Sequence, residues 1–149
     1  MHLQKCLTFG VHIKSLSFYL TNNATRKIIP NNITTIGDYA FGACTNLQKA
    51  IIPDSVTSLG NYVFKGCSKL SDIKLSENLS SFGDFIFSGC TSLPSISGLR
   101  YADNMVISIT VAQNNVTLQE NTRYIHNKAF ASNGVINAVT IPSSVSIIK

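Results

Sequence analysis

The chain has 149 residues, of which 44% are apolar and 13% charged, and its net charge is +5. This length suits a single domain with a real core, and the apolar fraction excludes intrinsic disorder. The basic residues are scattered and form no run, which argues against nucleic-acid binding. No apolar stretch reaches the roughly 18 residues that a membrane helix needs, so we expect no membrane span.

Residues 1–24 resemble a degenerate copy of the segment that follows them. Ile13 and Phe18 lie 23 residues before Ile36 and Phe41, which hold regular positions in that segment. We therefore expect a divergent first coil that caps a repeat array. The apolar stretch near Lys5 is interrupted by charges and lacks a small-residue cleavage site, which disfavours a secretory signal.

Residues 25–93 contain three regular copies of a unit of 23 residues. Residues 36–44, 59–67 and 82–90 align with one another, and each ends in a cysteine that lies three positions after a phenylalanine. A fixed period of this length indicates one supersecondary unit stacked on copies of itself. The period therefore predicts a solenoid in which each coil buries its apolar edge against its neighbours.

Each copy combines two short apolar alternations with a polar turn and a corner. Residues 47–53 alternate and end in proline, which predicts a short strand with one buried face. A second alternation leads to the sequence Gly-Asx-Tyr-x-Phe, where we attribute the tight backbone to the conformational freedom of glycine. We expect the recurring phenylalanines to stack as a buried ladder, and these are Phe41, Phe64, Phe87 and Phe130.

The rest of the chain departs from the period. Residues 94–115 form a shorter coil without the aromatic corner, although the alternation over 105–111 predicts a back strand. Residues 116–149 are a divergent repeat that stops midway through a coil without a polar cap, so we expect end-to-end self-association there. The sequence predicts six parallel front strands, centred on Lys27, Ala50, Ile73, Ile96, Val116 and Val139.

The repeat resembles a known family. The pattern φ-Pro-x-x-Val-Thr-x-Ile-Gly-x-Tyr-Ala-Phe-x-x-Cys-x-x-Leu, in which φ is apolar, is similar to the BspA-like, type-5 leucine-rich repeat. Residues 29–47 and 52–70 follow it almost throughout, and residues 75–93 follow it with Ser76 in place of proline. The resemblance implies a right-handed leucine-rich repeat solenoid over residues 1–149. Such a fold is mostly β, with a parallel front sheet, short β or 3-10 segments on the back, and little helix.

The resemblance also implies a function and a location. BspA-like proteins are associated with adhesion to host extracellular-matrix proteins and with cell–cell interaction, so a non-catalytic, secreted or cell-surface protein-binding module is implied. This sequence shows no clear signal peptide or anchor. A cytoplasmic protein–protein interaction scaffold therefore remains an alternative, as does a fragment of a longer repeat protein without an independent role.

The sequence offers no catalytic, metal-binding or cofactor-binding constellation. Asp38 and Asp84 share a repeat position with Asn61 and Asn127, so turn hydrogen bonds explain these carboxylates better than acid–base chemistry does. The histidines occupy unrelated settings and lack the spacing of metal ligands, and no phosphate-binding glycine loop occurs. They are His2, His12 and His126.

Two residue types allow covalent chemistry. Cys44, Cys67 and Cys90 share one repeat position, and we expect a ladder of buried free thiols, with Cys6 apart from it. Three equivalent rungs cannot pair off evenly, and no second cysteine or histidine cluster suggests a metal. Glycosylation is permitted at four sequons, which begin at Asn23, Asn32, Asn78 and Asn115.

The candidate binding site is the front face of the regular copies. Its outward positions form two rows of mixed basic and apolar character, namely Arg26, Lys49 and Asp72, and beside them Ile28, Ile51 and Lys74. Exposed apolar side chains rimmed by charge are typical of protein-binding surfaces. The alternative is an ordinary solvated sheet face on which the isoleucines are exposed by chance.

Overall fold

The computed structural model describes residues 25–131 and 134–149, with the backbone alone for Lys27 and Ile28. The expected first coil, residues 1–24, lies outside the described residues. The chain divides into two compact units, Met1–Ser92 and Leu93–Lys149. The described residues form short strands, turns and irregular segments without a helix. None of these residues belongs to a helix long and apolar enough to cross a membrane.

The described part of the first unit is built from two parallel sheets. The front sheet contains β1 (Arg26–Ile28), β3 (Lys49–Ile51) and β5 (Asp72–Lys74). The second sheet contains β2 (Thr35–Ile36), β4 (Ser58–Leu59) and β6 (Ser81–Phe82). Each strand pairs with the strand one repeat away in strict register. This arrangement confirms the β-solenoid that the 23-residue period predicts.

The buried face of the front sheet follows the predicted alternation. In β3 the central Ala50 is buried between two partly exposed residues, and in β5 the buried Ile73 lies between two exposed charged residues. Removing the apolar side chain of the central residue from water is favourable, so this side chain faces the core. The residues on either side of it must then project outward, since successive side chains of a strand point to opposite faces.

The phenylalanine ladder is present in the first unit. The rings of Phe41 and Phe64 stack with centroids 5.1 Å apart, and those of Phe64 and Phe87 with centroids 5.5 Å apart. All three side chains are buried, and Phe64 is 0% exposed. Phe130 differs from the prediction because it is only partly buried, against the core of the second unit.

The role that we assigned to glycine at the corner is wrong. The left-handed conformation belongs to the aromatic residue of the corner, with φ of 56° at Tyr39, 57° at Tyr62 and 52° at Phe85. Glycine is required instead because successive coils touch there. A Cβ on Gly83 would lie 2.5 Å from the carbonyl carbon of Gly60, closer than any side chain allows.

The second unit contains two consecutive β-hairpins that the repeat period does not predict. Strands β7 (Ser95–Ile96), β8 (Leu99–Ala102) and β9 (Met105–Ile109) pair antiparallel. Strands β11 (Tyr124–Ile125) and β13 (Ile147–Ile148) then continue the sheet in parallel from β9. The back strand predicted over 105–111 is present but ends at Ile109, and Val111 is 61% exposed. A separate parallel pair joins β10 (Asn115–Thr117) to β12 (Ala138–Thr140).

The predicted strand at Ile96 is therefore antiparallel and does not belong to a continuous front sheet. Ser97 and Gly98 have φ of 50° and 77°. Two successive residues with positive φ make the turn that matches the twist of a hairpin, so the chain folds back on itself at this point. Among the described residues, the front strands form a three-stranded sheet in the first unit and a two-stranded sheet in the second.

Candidate protein-binding face

The structure aligns the six candidate residues as two adjacent rows of the front sheet. Arg26 pairs in register with Lys49, and Lys49 pairs with Asp72. Ile28, Ile51 and Lys74 align in the same way two residues further along each strand. Because neighbouring parallel strands lie about 4.8 Å apart, the backbone positions of each row follow one another at that spacing along the sheet. We call these two rows the front face.

The front face is exposed where its side chains are described. Arg26, Asp72 and Lys74 are exposed, whereas Lys49 and Ile51 are half-buried. The side chain of Ile28 is not among those described. The exposed and half-buried side chains lie on either side of Ala50 and Ile73, whose buried side chains anchor the strands to the core. The face thus combines accessible charge with one accessible apolar side chain.

One ion pair lies within the front face. The Lys49 ammonium contacts the Asp72 carboxylate, and the two side chains are 42% and 56% exposed. An ion pair this accessible to water contributes little to stability, typically about 0–1 kcal/mol. Its main consequence is local neutralisation, because Asp72 offsets the charge of Lys49. Neither Arg26 nor Lys74 forms an ion pair with any residue that the structure describes.

The carboxylates at the corner form hydrogen bonds, as the sequence predicts, but these bonds join successive coils and do not close a turn within one coil. The Asp38 Oδ1 accepts a hydrogen bond of 2.7 Å from the backbone N–H of Asn61. The side-chain oxygen of Asn61 accepts one of 2.8 Å from the backbone N–H of Asp84. In the turn after the front strand, Asp54 Oδ1 accepts the N–H of Glu77 at 2.9 Å. These groups satisfy backbone donors of the next coil.

A second aromatic ladder, which the sequence analysis did not identify, lies outside the phenylalanine ladder. The rings of Tyr39 and Tyr62 stack with centroids 4.8 Å apart, and those of Tyr62 and Phe85 with centroids 5.4 Å apart. The Lys65 ammonium lies 4.9 Å from the Tyr62 centroid, within the range of a cation–π contact. The signal was available, because these three aromatic residues also recur every 23 positions.

The cysteine ladder is only partly reduced. Cys67 and Cys90 are buried free thiols, as predicted, and each Sγ donates to a carbonyl oxygen at 3.1 Å, that of Phe41 or Phe64. The expectation is wrong for Cys44, which is disulfide-bonded. Its equivalence to the other rungs does not prevent bonding outside the ladder, and Cys6, the fourth cysteine, lies outside the described residues.

The two free thiols are buried, which separates them from reagents in the solvent. The neighbouring Cys90 thiol lowers the pKa of Cys67, and burial of the sulfur opposes that shift. Since both sulfurs are closed to solvent, we expect neither thiol to react with reagents in solution until the chain unfolds.

The remaining polar candidates are dispersed. His126 is buried, with its Nδ1 3.0 Å from the carbonyl oxygen of Asn127, while His2 and His12 fall outside the described residues. Within the described ranges, no group of three or more metal-ligating side chains comes together. The sequon residues Asn32, Asn78 and Asn115 are exposed. The fourth, Asn23, lies in the undescribed segment.

Two solved structures support the fold, and a third is a weaker match. A leucine-rich repeat protein of T. pallidum matches with 25% identity and a TM-score of 0.57, over 83% of this chain and 61% of that protein. A leucine-rich repeat protein of Bacteroides ovatus matches with 27% identity and a TM-score of 0.52, over 83% and 36%. A leucine rich cell surface protein of Faecalibacterium prausnitzii matches with 23% identity and a TM-score of 0.49, over 85% and 38%.

These relatives are longer than the chain, which spans less than two thirds of each of them. No curated protein gives a significant match. The family model described as BspA type leucine rich repeat region matches in 6 copies, over residues 11–110 and 108–149. These matches cover the regular coils, the hairpin and the divergent repeat alike. The chain belongs to the BspA-type leucine-rich repeat family.

Proposed function

We propose that the chain is a non-catalytic protein-binding module and that the front face of the first unit is its binding surface. The observation that carries this proposal is the pair of exposed cations, Arg26 and Lys74, which lack an ion-pair partner among the described residues. They flank a half-buried Ile51. Charge beside accessible apolar surface is the composition that protein interfaces use, since the apolar part gives affinity and the charges give specificity.

We further propose that the partner is a protein of the host extracellular matrix or of another cell surface, and that this chain acts outside the cell. Membership in the BspA-type family supports this proposal. The disulfide at Cys44 supports it as well, because structural disulfides persist mainly in oxidising compartments. The free thiols of Cys67 and Cys90 favour the second candidate, a cytoplasmic interaction scaffold.

The test is binding of the purified chain to a panel of extracellular-matrix proteins. For any ligand found, Lys49→Glu and Lys74→Glu should weaken binding in a salt-dependent way, because charge repulsion is screened by ions. Ile51→Ser should weaken it with little salt dependence. Lys65→Glu is the matched control, since it makes the same charge change at the corner, outside the front sheet.

Thermal melts should first show that all four variants are folded. If the verified ligand binds every variant as tightly as it binds the wild type, the front face is not the site. The site would then lie elsewhere, for example in the irregular coil around residues 101–104. Failure to bind any matrix protein would favour the scaffold instead.

A further inference from the structure

Basic and acidic side chains lie on different parts of the coil in the first unit. The front strands carry three described cations, Arg26, Lys49 and Lys74, and one carboxylate, Asp72. A further cation, Lys69, lies in the loop that leads into β5. The turns after the front strands and the corners have the opposite balance, with one cation, Lys65, against four acids, which are Asp38, Asp54, Glu77 and Asp84.

Coil stacking accounts for much of the acidic side of this distribution. Asp38 and Asp54 each accept a hydrogen bond from a backbone N–H of the next coil, so the fold itself requires an acceptor at both positions. No comparable requirement applies to the front cations. Arg26 and Lys74 are exposed and form no ion pair within the described part of the chain, so their charges are not used to hold the coils together.

The front face therefore has a surplus of positive charge that is available to a partner. Its three described cations and one carboxylate sum to +2, because 3 − 1 = 2. The carboxylate contacts Lys49, which leaves Arg26 and Lys74 as the uncompensated charges at opposite ends of the two rows. Ile51 lies in the row of Lys74, one strand away, and adds a half-buried apolar contact.

We propose that the front face binds an acidic and partly apolar segment of a protein partner. Carboxylates of the segment pair with Arg26 and Lys74, and an apolar side chain packs on Ile51. An arginine can hold a carboxylate through two parallel hydrogen bonds, which orients the segment as well as attracting it. This inference rests on the proposed function, because it names the class of partner for that same surface.

A protein segment fits this face better than a uniformly anionic polymer does. A sulfated polysaccharide would gain nothing from Ile51, and its closely spaced charges would meet the Asp72 carboxylate on β5, which lies beside Lys49 and two residues before Lys74. A protein segment can place an apolar side chain at one position and leave another uncharged. Asp72 therefore acts as a specificity determinant that disfavours continuous negative charge.

The proposal can be tested with a fluorescein-labelled peptide of alternating Glu and Val, with anisotropy as the measurement and the full chain as the receptor. At about 0.1 M salt, where screening confines charge effects to about 10 Å, Arg26→Gln and Lys74→Gln should each weaken binding about three- to fivefold. Asp72→Asn should strengthen it by a similar factor, because it removes a repulsive carboxylate. Lys65→Gln, the matched control, should leave it unchanged.

Two further measurements identify the class of partner. Ile51→Ser should weaken peptide binding both at about 0.1 M salt and at high salt, and a matched Lys–Val peptide should not bind. The proposal is overturned if the Glu–Val peptide does not bind, or if Lys65→Gln weakens binding as much as Lys74→Gln does. It is also overturned if heparin binds more tightly than the peptide and is insensitive to Ile51→Ser.

An error in the proposed partner class can be distinguished from an error in the proposed binding surface. If the Glu–Val peptide does not bind, but a matrix protein still loses affinity with Ile51→Ser and Lys74→Glu, the front face remains the binding surface and only the acidic partner class is wrong. If light scattering shows self-assembly that Asp54→Asn and Lys74→Gln both abolish, the front face binds the acidic turns of a second copy, which overturns the proposal.

Discussion

Replacing Phe64 by alanine should destabilise the first unit more than any other single truncation in its ladder. The Phe64 ring is 0% exposed and stacks on both sides, with Phe41 at 5.1 Å and Phe87 at 5.5 Å. Removing a buried phenylalanine typically costs about 3–5 kcal/mol of unfolding free energy. Stacking geometry adds about 0.5–1.5 kcal/mol for each aromatic pair. We therefore expect a loss at or above the upper end of that range.

The assay is thermal unfolding followed by circular dichroism. In a unit of roughly 90 residues, 1 kcal/mol corresponds to a Tm shift of about 4–8 °C, so a loss of about 5 kcal/mol or more in Phe64→Ala should lower the Tm by at least about 20 °C. A loss of this size approaches the total stability of a small domain, about 5–15 kcal/mol, and the variant can fail to fold. Phe64→Leu keeps most of the apolar volume and should melt between that variant and the wild type.

Tyr39→Ala is the matched control for this prediction. Tyr39 also occupies an aromatic ladder and has a left-handed backbone, but its side chain is 46% exposed. Its truncation should therefore cost much less than that of Phe64. A Tm for Phe64→Ala within about 2 °C of the wild type would refute the reasoning, because a shift that small corresponds to less than about 0.5 kcal/mol.

Two further predictions concern coil contact and thiol burial. Gly83→Ala should destabilise the fold by about 1–3 kcal/mol or more, because its Cβ would lie 2.5 Å from backbone atoms of Gly60, whereas Gly134→Ala, with nothing within 4 Å, should be nearly neutral in the same melts. Equal effects of the two substitutions would contradict the close contact of the coils. Cys67 and Cys90 should react with iodoacetamide only after denaturation, as peptide mass mapping can show, and rapid labelling of folded protein would contradict their burial.

The sequence predicted much of the first unit because repetition fixes several levels of structure together. Once Phe41, Phe64 and Phe87 occupy one position of a 23-residue coil, in-register stacking places their rings one strand spacing apart. The same argument aligned Arg26 with Lys49 and Asp72, so the composition of the front face could be predicted before its geometry was known.

The sequence predictions that were wrong concern features that repetition does not determine. The hairpin at Ser97 and Gly98 falls in a coil of irregular length, where local turn chemistry overrides the repeat. The role of Gly83 was misassigned because a sequence does not distinguish the need for positive φ from the need for close backbone approach. The disulfide at Cys44 was missed because its rung was treated as equivalent to the other two.

The ion pair of Lys49 could not be predicted from the repeat either. Its row neighbour Asp72 could be predicted from the register, but the partial loss of its charge to an ion pair depends on side-chain geometry. The sequence therefore presented Lys49 and Lys74 as equivalent cations. The structure distinguishes them, because Lys74 has no such pair within the described residues.

The most direct test of the binding surface is lysine footprinting of the chain with and without a verified protein ligand. Acetylation followed by mass spectrometry reports the accessibility of each lysine separately, and Lys65 serves as the internal reference because it is exposed at the corner. If the front face binds the ligand, Lys49 and Lys74 should become protected on binding while Lys65 stays reactive. Protection of Lys65 with Lys49 and Lys74 unchanged would contradict the assignment of the front face as the binding surface.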